Sequence, residues 1–199
     1  MSILEERTKE VIQELHSKSV SEWKVENIQK IVNTILKEEA VEIGPTPIVY
    51  IAMHYGFAVY KQNLKEGIDA SIFLNGTTKN IYKKEKVILV KENEDLFWNR
   101  YFAAIELGKY IFDFLDNKNY QSDSFYCHQY NIEHNDDILS ERFATEILMP
   151  THSFCKQYLV AAEQQIYSLR YRYKYLSYFF QVPEVLIRTR ISEIINRED

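Results

Sequence analysis

The chain has 199 residues, 46% hydrophobic and 27% charged, which excludes a disordered polymer and suits one compact domain, or one domain with a small helical appendage. A net charge of -5 removes any general electrostatic drive toward nucleic acid, and two cysteines, Cys127 and Cys155, are too few for a disulfide framework. No window nears the roughly 20 apolar residues of a membrane span, and the charged start MSILEERTKEVIQELHSK has no signal-peptide run, so a reduced, cytoplasmic protein without a membrane partner is expected.

Residues 3 to 17 read as a helix with Leu4, Val11, Ile12 and Leu15 on one side. Residues 23 to 37 repeat the pattern more strongly, because Ile28, Ile31, Val32, Ile35 and Leu36 fall at i, i+3, i+4, i+7 and i+8. After GPTP, with Thr46 as N-cap and Pro47 as first helical residue, PIVYIAMHYG predicts a short helix that stops at Gly56. The period then changes. FAVY, ASIFL, KNIY and KVILV are short β-prone runs, and Asn75-Gly76 is a hairpin-type dipeptide, so a sheet of three or four strands is expected within residues 57 to 90.

From Asp95 the chain reads as helical to about Leu115. Residues 116 to 134, polar and aromatic without a period, read as a loop. Helices are predicted at 136–148, 153–161, 164–180 and 183–196, the last opened by Pro183. Five glycines and four prolines are few breakers, and the order of helices, small sheet, helices is α+β. The segment 1–44 reads as an N-terminal helical piece ahead of a domain at 45–199.

The helix RYFAAIELGKYIFDF carries the chemistry. Zincins bind Zn²⁺ with H-E-x-x-H on a helix: two histidines share one face, and the glutamate is general base toward metal-bound water. The corresponding residues here are Ile105, Glu106, Leu107, Gly108 and Lys109. The run FAAIELGKYIFDF resembles the F-T-x-A-H-E-L-G-H-Y-L-L-H helix of the ImmA/IrrE metallopeptidase family, through Phe102, Glu106, Leu107, Gly108 and Tyr110. ERFATEILMP resembles that family's A-N-x-F-A-A-E-L-L-M-P run, through Phe143, Ala144, Glu146, Leu148, Met149 and Pro150. IVYIAMHYGFAVY upstream and YLSYFFQVPEVLIRTRI downstream resemble its opening and closing segments, in the family's order over about residues 45 to 195. The resemblance implies a mostly helical zincin-like domain with a small sheet and C-terminal helices.

The departures from the family pattern bear on function. Ile105 has no donor atom, and an ammonium at Lys109 has no lone pair for a metal. The resemblance implies an acidic third ligand just before the F-A run, at the level of Asp137 or Glu141. One such carboxylate with Glu106 makes a poor zinc site, since zinc takes three or more ligands rich in nitrogen or sulfur. No cofactor is therefore expected, and Glu106 reads as a vestigial general base. Lys109, three residues after Glu106 and four before Asp113, is placed either to supply the missing positive charge to Glu106 and the Asp137 or Glu141 carboxylate, or to form an ordinary surface pair with Glu106.

Cys127, His128, His134, His152 and Cys155 are the remaining soft donors, in no familiar zinc spacing; His54 reads as a packing residue. QQIYSLRYRYKYLSYFF interleaves Arg170, Arg172 and Lys174 with tyrosines, a composition able to contact phosphates and bases, but helical geometry spreads these residues around the axis. Packing by Leu169, Tyr173 and Leu176 is the simpler expectation. Asp123, Glu133, Asp136 and Asp137 make the loop acidic, able to attract a basic partner.

Three functions follow. The first is an inactive pseudo-peptidase that binds a protein; active relatives cut helix-turn-helix repressors in phages, mobile elements and stress responses, so a regulator of that class is the implied partner. The second is an active metallopeptidase with non-standard ligands. The third is a nucleic-acid-binding regulator, which the overall acidity disfavours.

Overall fold

The computed structural model describes residues 2–15, 25–74, 79–115, 125–128, 138–163 and 168–195. Helix α1 (Ile3–Leu15) buries Leu4, Glu5, Thr8 and Ile12, one face of the helix. Helix α2 (Val25–Glu38) buries all five residues of its predicted apolar stripe. Helix α3 (Ile48–His54) follows GPTP and ends at Gly56, whose φ of +82° is the left-handed geometry of a helix stop. Thr46 does not cap α3. Its hydroxyl instead donates to the Ile147 carbonyl at 2.6 Å, tying GPTP to a distant helix.

Among the described residues the sheet has four strands: β1 (Phe57–Gln62), β2 (Ala70–Phe73), β3 (Lys86–Lys91) and β4 (Phe125–His128), in the order β1-β3-β2-β4. β1 and β3 are parallel, while β2 runs antiparallel to both β3 and β4. β3 is interior, and Val87, Ile88, Leu89 and Val90 are all buried, as befits a continuous apolar run covered on both faces. Two expectations are corrected here. KNIY is the short helix α4 (Lys79–Tyr82), where Tyr82 stacks on Tyr60 at 4.9 Å and its hydroxyl donates to Gln62. The fourth strand comes from the segment expected to be a loop, paired to β2 from Ala70↔His128 to Phe73↔Phe125. Asn75-Gly76 lies outside the described residues, and α4 within the β2–β3 connection makes that link longer than a two-residue hairpin.

Helix α5 (Leu96–Lys109) begins at Asp95, whose carboxylate caps the Phe97 amide at 2.8 Å. It is followed by a π-helical turn, Tyr110–Phe114, closed by the Leu115 amide on the Tyr110 carbonyl at 2.9 Å. Every residue from Tyr101 to Ile111 is buried, so α5 is the central helix of the fold. Helices α6 (Ile138–Leu148), α7 (Thr151–Glu163), α8 (Leu169–Phe180) and α9 (Glu184–Ile195) follow among the described residues. The α8–α9 turn passes through Gln181 at φ +54° and is closed by the Ser177 hydroxyl on the Val182 carbonyl. Arg100 of α5 donates to the Gln181 carbonyl at 3.1 Å and the Thr46 carbonyl at 2.8 Å, joining that turn to GPTP. Burial depresses the Arg100 guanidinium pKa.

One apolar cluster includes Leu4 and Ile12 of α1, the α2 stripe, the inward residues of the sheet, α5, Phe143 of α6, Phe154 of α7, and Phe180 and Ile187 of α8 and α9. Residues on both sides of position 44 thus share a core. On α8, Leu176 is buried as expected, but Leu169 is exposed and does not pack. The exposed stripe of α8 is instead Arg170, Tyr171, Lys174 and Tyr178.

Candidate functional site

The site lies where α5 meets α6, and Gly108 sets the approach. A Cβ at Gly108 would sit 3.0 Å from Phe143 Cδ1 and 3.0 Å from Ser140 Cα, so only a glycine lets the two helices touch there. Beside this contact, Glu106 is fully buried and Lys109 is 5% exposed. The Lys109 Nζ stands 3.6 Å from Glu106 Oε1, an ion pair one helical turn in length. Ile105 is fully buried in the apolar core. Asp113 is exposed on the π turn, and Glu141 lies on the half-buried first turn of α6. Asp137 and His134 lie outside the described residues, as do the side chains of Cys127 and His128.

A zinc ion does not fit these residues. The first ligand position carries a hydrocarbon packed into the core, and the second carries a cation already paired with the glutamate. Among the described residues no group of three His, Cys, Asp or Glu side chains is placed to hold a metal. His152 is exposed at the start of α7. Cys155 lines an apolar groove of about 200 Å³ between α7 and α9, with Phe154, Tyr158, Ile191 and Ile194. His54 pairs through Nδ1 with Glu39 at 2.6 Å and packs against Tyr50.

Two buried charge clusters brace the site, and neither was read from the sequence. In the first, Lys86 of β3 donates to Glu5 Oε1 at 2.6 Å, to the Tyr110 hydroxyl at 2.6 Å and to the Tyr55 carbonyl at 3.0 Å. Tyr110 donates to the same Glu5 oxygen at 2.9 Å, and the ammonium stands 4.3 Å above the Tyr110 ring. Burial pushes the Glu5 carboxyl up, but the Lys86 hydrogen bond and charge, with help from Ser2 and Tyr110, outweigh it and leave the pKa below its ordinary value. Next to this cluster the Thr8 and Tyr55 hydroxyls share a 2.5 Å hydrogen bond, and burial raises the Tyr55 phenol well above its usual range. The local sequence signals only the helix start: Ser2-x-x-Glu5 is a capping box, with Ser2 N on Glu5 Oε2 at 3.0 Å and Glu5 N on Ser2 Oγ at 3.2 Å.

The second cluster explains the glutamate of FATEILMP. Glu146 accepts from the Thr151 amide and hydroxyl, each at 2.9 Å, capping α7, and pairs with Arg190 of α9 through a short contact. Arg190 also donates to the Met149 carbonyl at 3.0 Å and to Thr151 Oγ1 at 2.8 Å. Gln29 of α2 reaches the same threonine at 2.8 Å. This motif is therefore a joint between α2, α6, α7 and α9.

No helix among the described residues is long and apolar enough to cross a membrane. A comparison with curated proteins finds no match. The family model of peptidase M78, described as the IrrE N-terminal-like domain, matches residues 58–192, from β1 through α9. That match spans the sheet, the Glu106–Lys109 helix and the Glu146 joint, and the chain belongs to the peptidase M78 family of IrrE N-terminal-like domains.

Proposed function

We propose that this chain is a catalytically inactive ImmA/IrrE-like pseudo-peptidase that acts in the cytoplasm as a protein-binding regulatory module. The observation that carries this reading is at the two helix positions where the family motif has histidines. Ile105 is sealed in the core, and Lys109 points its charge at Glu106. Neither position supplies a lone pair to a metal, so Glu106 has no metal-bound water to deprotonate. The scaffold around that position is retained, down to the glycine that lets α5 touch α6. A retained fold without its chemistry favours recognition over turnover. The family resemblance names the partner class, a helix-turn-helix transcriptional regulator bound without being cut, and a phage or mobile element as the setting.

Elemental analysis of the natural protein, purified without chelator, tests this reading beside an Ile105→His, Lys109→His double variant. The expected result is a natural protein without zinc and a double variant that takes up stoichiometric zinc. Stoichiometric zinc in the natural protein, with chelator-sensitive cleavage of a helix-turn-helix repressor, would overturn it.

A further inference from the structure

We infer that Lys109 is the resident cation of the α5–α6 site: it supplies in covalent form the positive charge that buried Glu106 requires, and it excludes a divalent metal from that place. The inference rests on the reading that the natural site takes no metal, but it concerns what balances Glu106 rather than what the protein binds.

The geometry is specific. A lysine at a helix surface normally carries its ammonium out to water along a flexible stem. Lys109 does the opposite, with its side chain only 6% exposed while the Glu106 side chain has no exposure at all. Ile105 and Leu107 on the same helix, Ile111 on the π turn after it and Phe143 on the facing helix are all fully buried. A carboxylate in such a place needs a counter-charge, and losing one partner of a buried pair leaves the other uncompensated. Lys109 is one turn away, at the spacing that lets i and i+3 side chains meet. A divalent ion entering here would face an ammonium 3.6 Å from its first carboxylate oxygen, so metal and lysine compete for one position. The neighbouring Tyr110 turns to the other cluster, where its hydroxyl and Lys86 both bond to Glu5.

The test is a double-mutant cycle run in chelator, which keeps it separate from the metal content of the natural protein. Lys109→Met retains the stem and removes the charge; Glu106→Gln removes the opposite charge. The expected result is a large fall in Tm for Lys109→Met and recovery of most of it when Glu106→Gln is added. If Lys109→Met does not fold, a folded Lys109→Met, Glu106→Gln double variant gives the same answer. A Lys109→Met protein as stable as the natural one, or a double variant that fails as the single does, overturns the inference, because packing alone would then account for the lysine. ¹⁵N NMR of the lysine side chains in the natural protein adds a readout that stability cannot imitate. The Lys109 Nζ signal is expected to be displaced when Glu106→Gln is introduced, and a signal that does not respond would also overturn the inference.

Discussion

Arg190 and Glu146 stand 44 residues apart in the chain and meet as a buried ion pair, with the same Arg190 nitrogen also on the Met149 carbonyl and the Thr151 hydroxyl. One guanidinium nitrogen thus holds the end of α6, the start of α7 and the middle of α9. Removing it leaves the Glu146 charge buried without its partner. Arg190→Met is expected to cost about 3–5 kcal/mol in chemical denaturation, and adding Glu146→Gln is expected to return part of that. Equal stability of Arg190→Met and the natural protein would remove the joint from the account.

Gly108→Ala sets two effects against each other. Alanine in place of glycine gains about 1 kcal/mol of helix propensity. The new methyl, however, meets Ser140 Cα and Phe143 at 3.0 Å, and a backbone atom cannot swing aside. Overpacking of this kind costs about 1–3 kcal/mol. A net loss is expected in thermal unfolding, with the α5–α6 spacing widened in a crystal structure of the variant.

The Glu5 cluster predicts a pH dependence. The Glu5 carboxyl is held below its ordinary value of 4.5 in the folded state. A depressed carboxyl contributes stability above its unfolded pKa and loses that contribution as pH falls through the folded value. Acid unfolding of the natural protein should therefore steepen below pH 4.5, and Glu5→Gln should flatten that limb while lowering stability at neutral pH. Curves of the same slope for both proteins would show that Lys86 does not hold the carboxylate in solution.

Arg100 donates to two carbonyls in separate loops, at 2.8 and 3.1 Å. Arg100→Ala leaves both without that donor, at a cost of about 1–3 kcal/mol. Hydrogen exchange should quicken at the amides of Thr46, Ile48, Gln181 and Val182 more than in the sheet. Uniform quickening would mean that Arg100 supports the whole fold rather than these two turns.

The elements with a clear period were legible in the sequence. The α2 stripe is an example: five aliphatic residues at helical spacing had one face to bury, and all five are buried. KNIY was misread because Ile and Tyr favour strands locally, while Tyr82 is held against Tyr60 in a single helical turn. FYCH hid as a strand because its pairing is entirely with β2, more than fifty residues away, and no local pattern encodes that. At the site, the positions of Glu106 and Lys109 on one helix followed from motif spacing alone. The long-range charge partners did not, since nothing near Glu5 points to Lys86, or near Glu146 to Arg190.

The shared core also separates two kinds of boundary. The match to the family model begins at position 58, but the stretch before it contributes Ile28, Ile31, Ile35 and Ile51 to the interior and Glu5 as the counter-ion of Lys86. A fragment cut to the limits of that match would lose a wall of the building along with one of its electrical grounds. It should emerge as a sticky, partly molten polypeptide, and any attempt to express, graft or engineer this scaffold needs its first two helices as much as its signature motif.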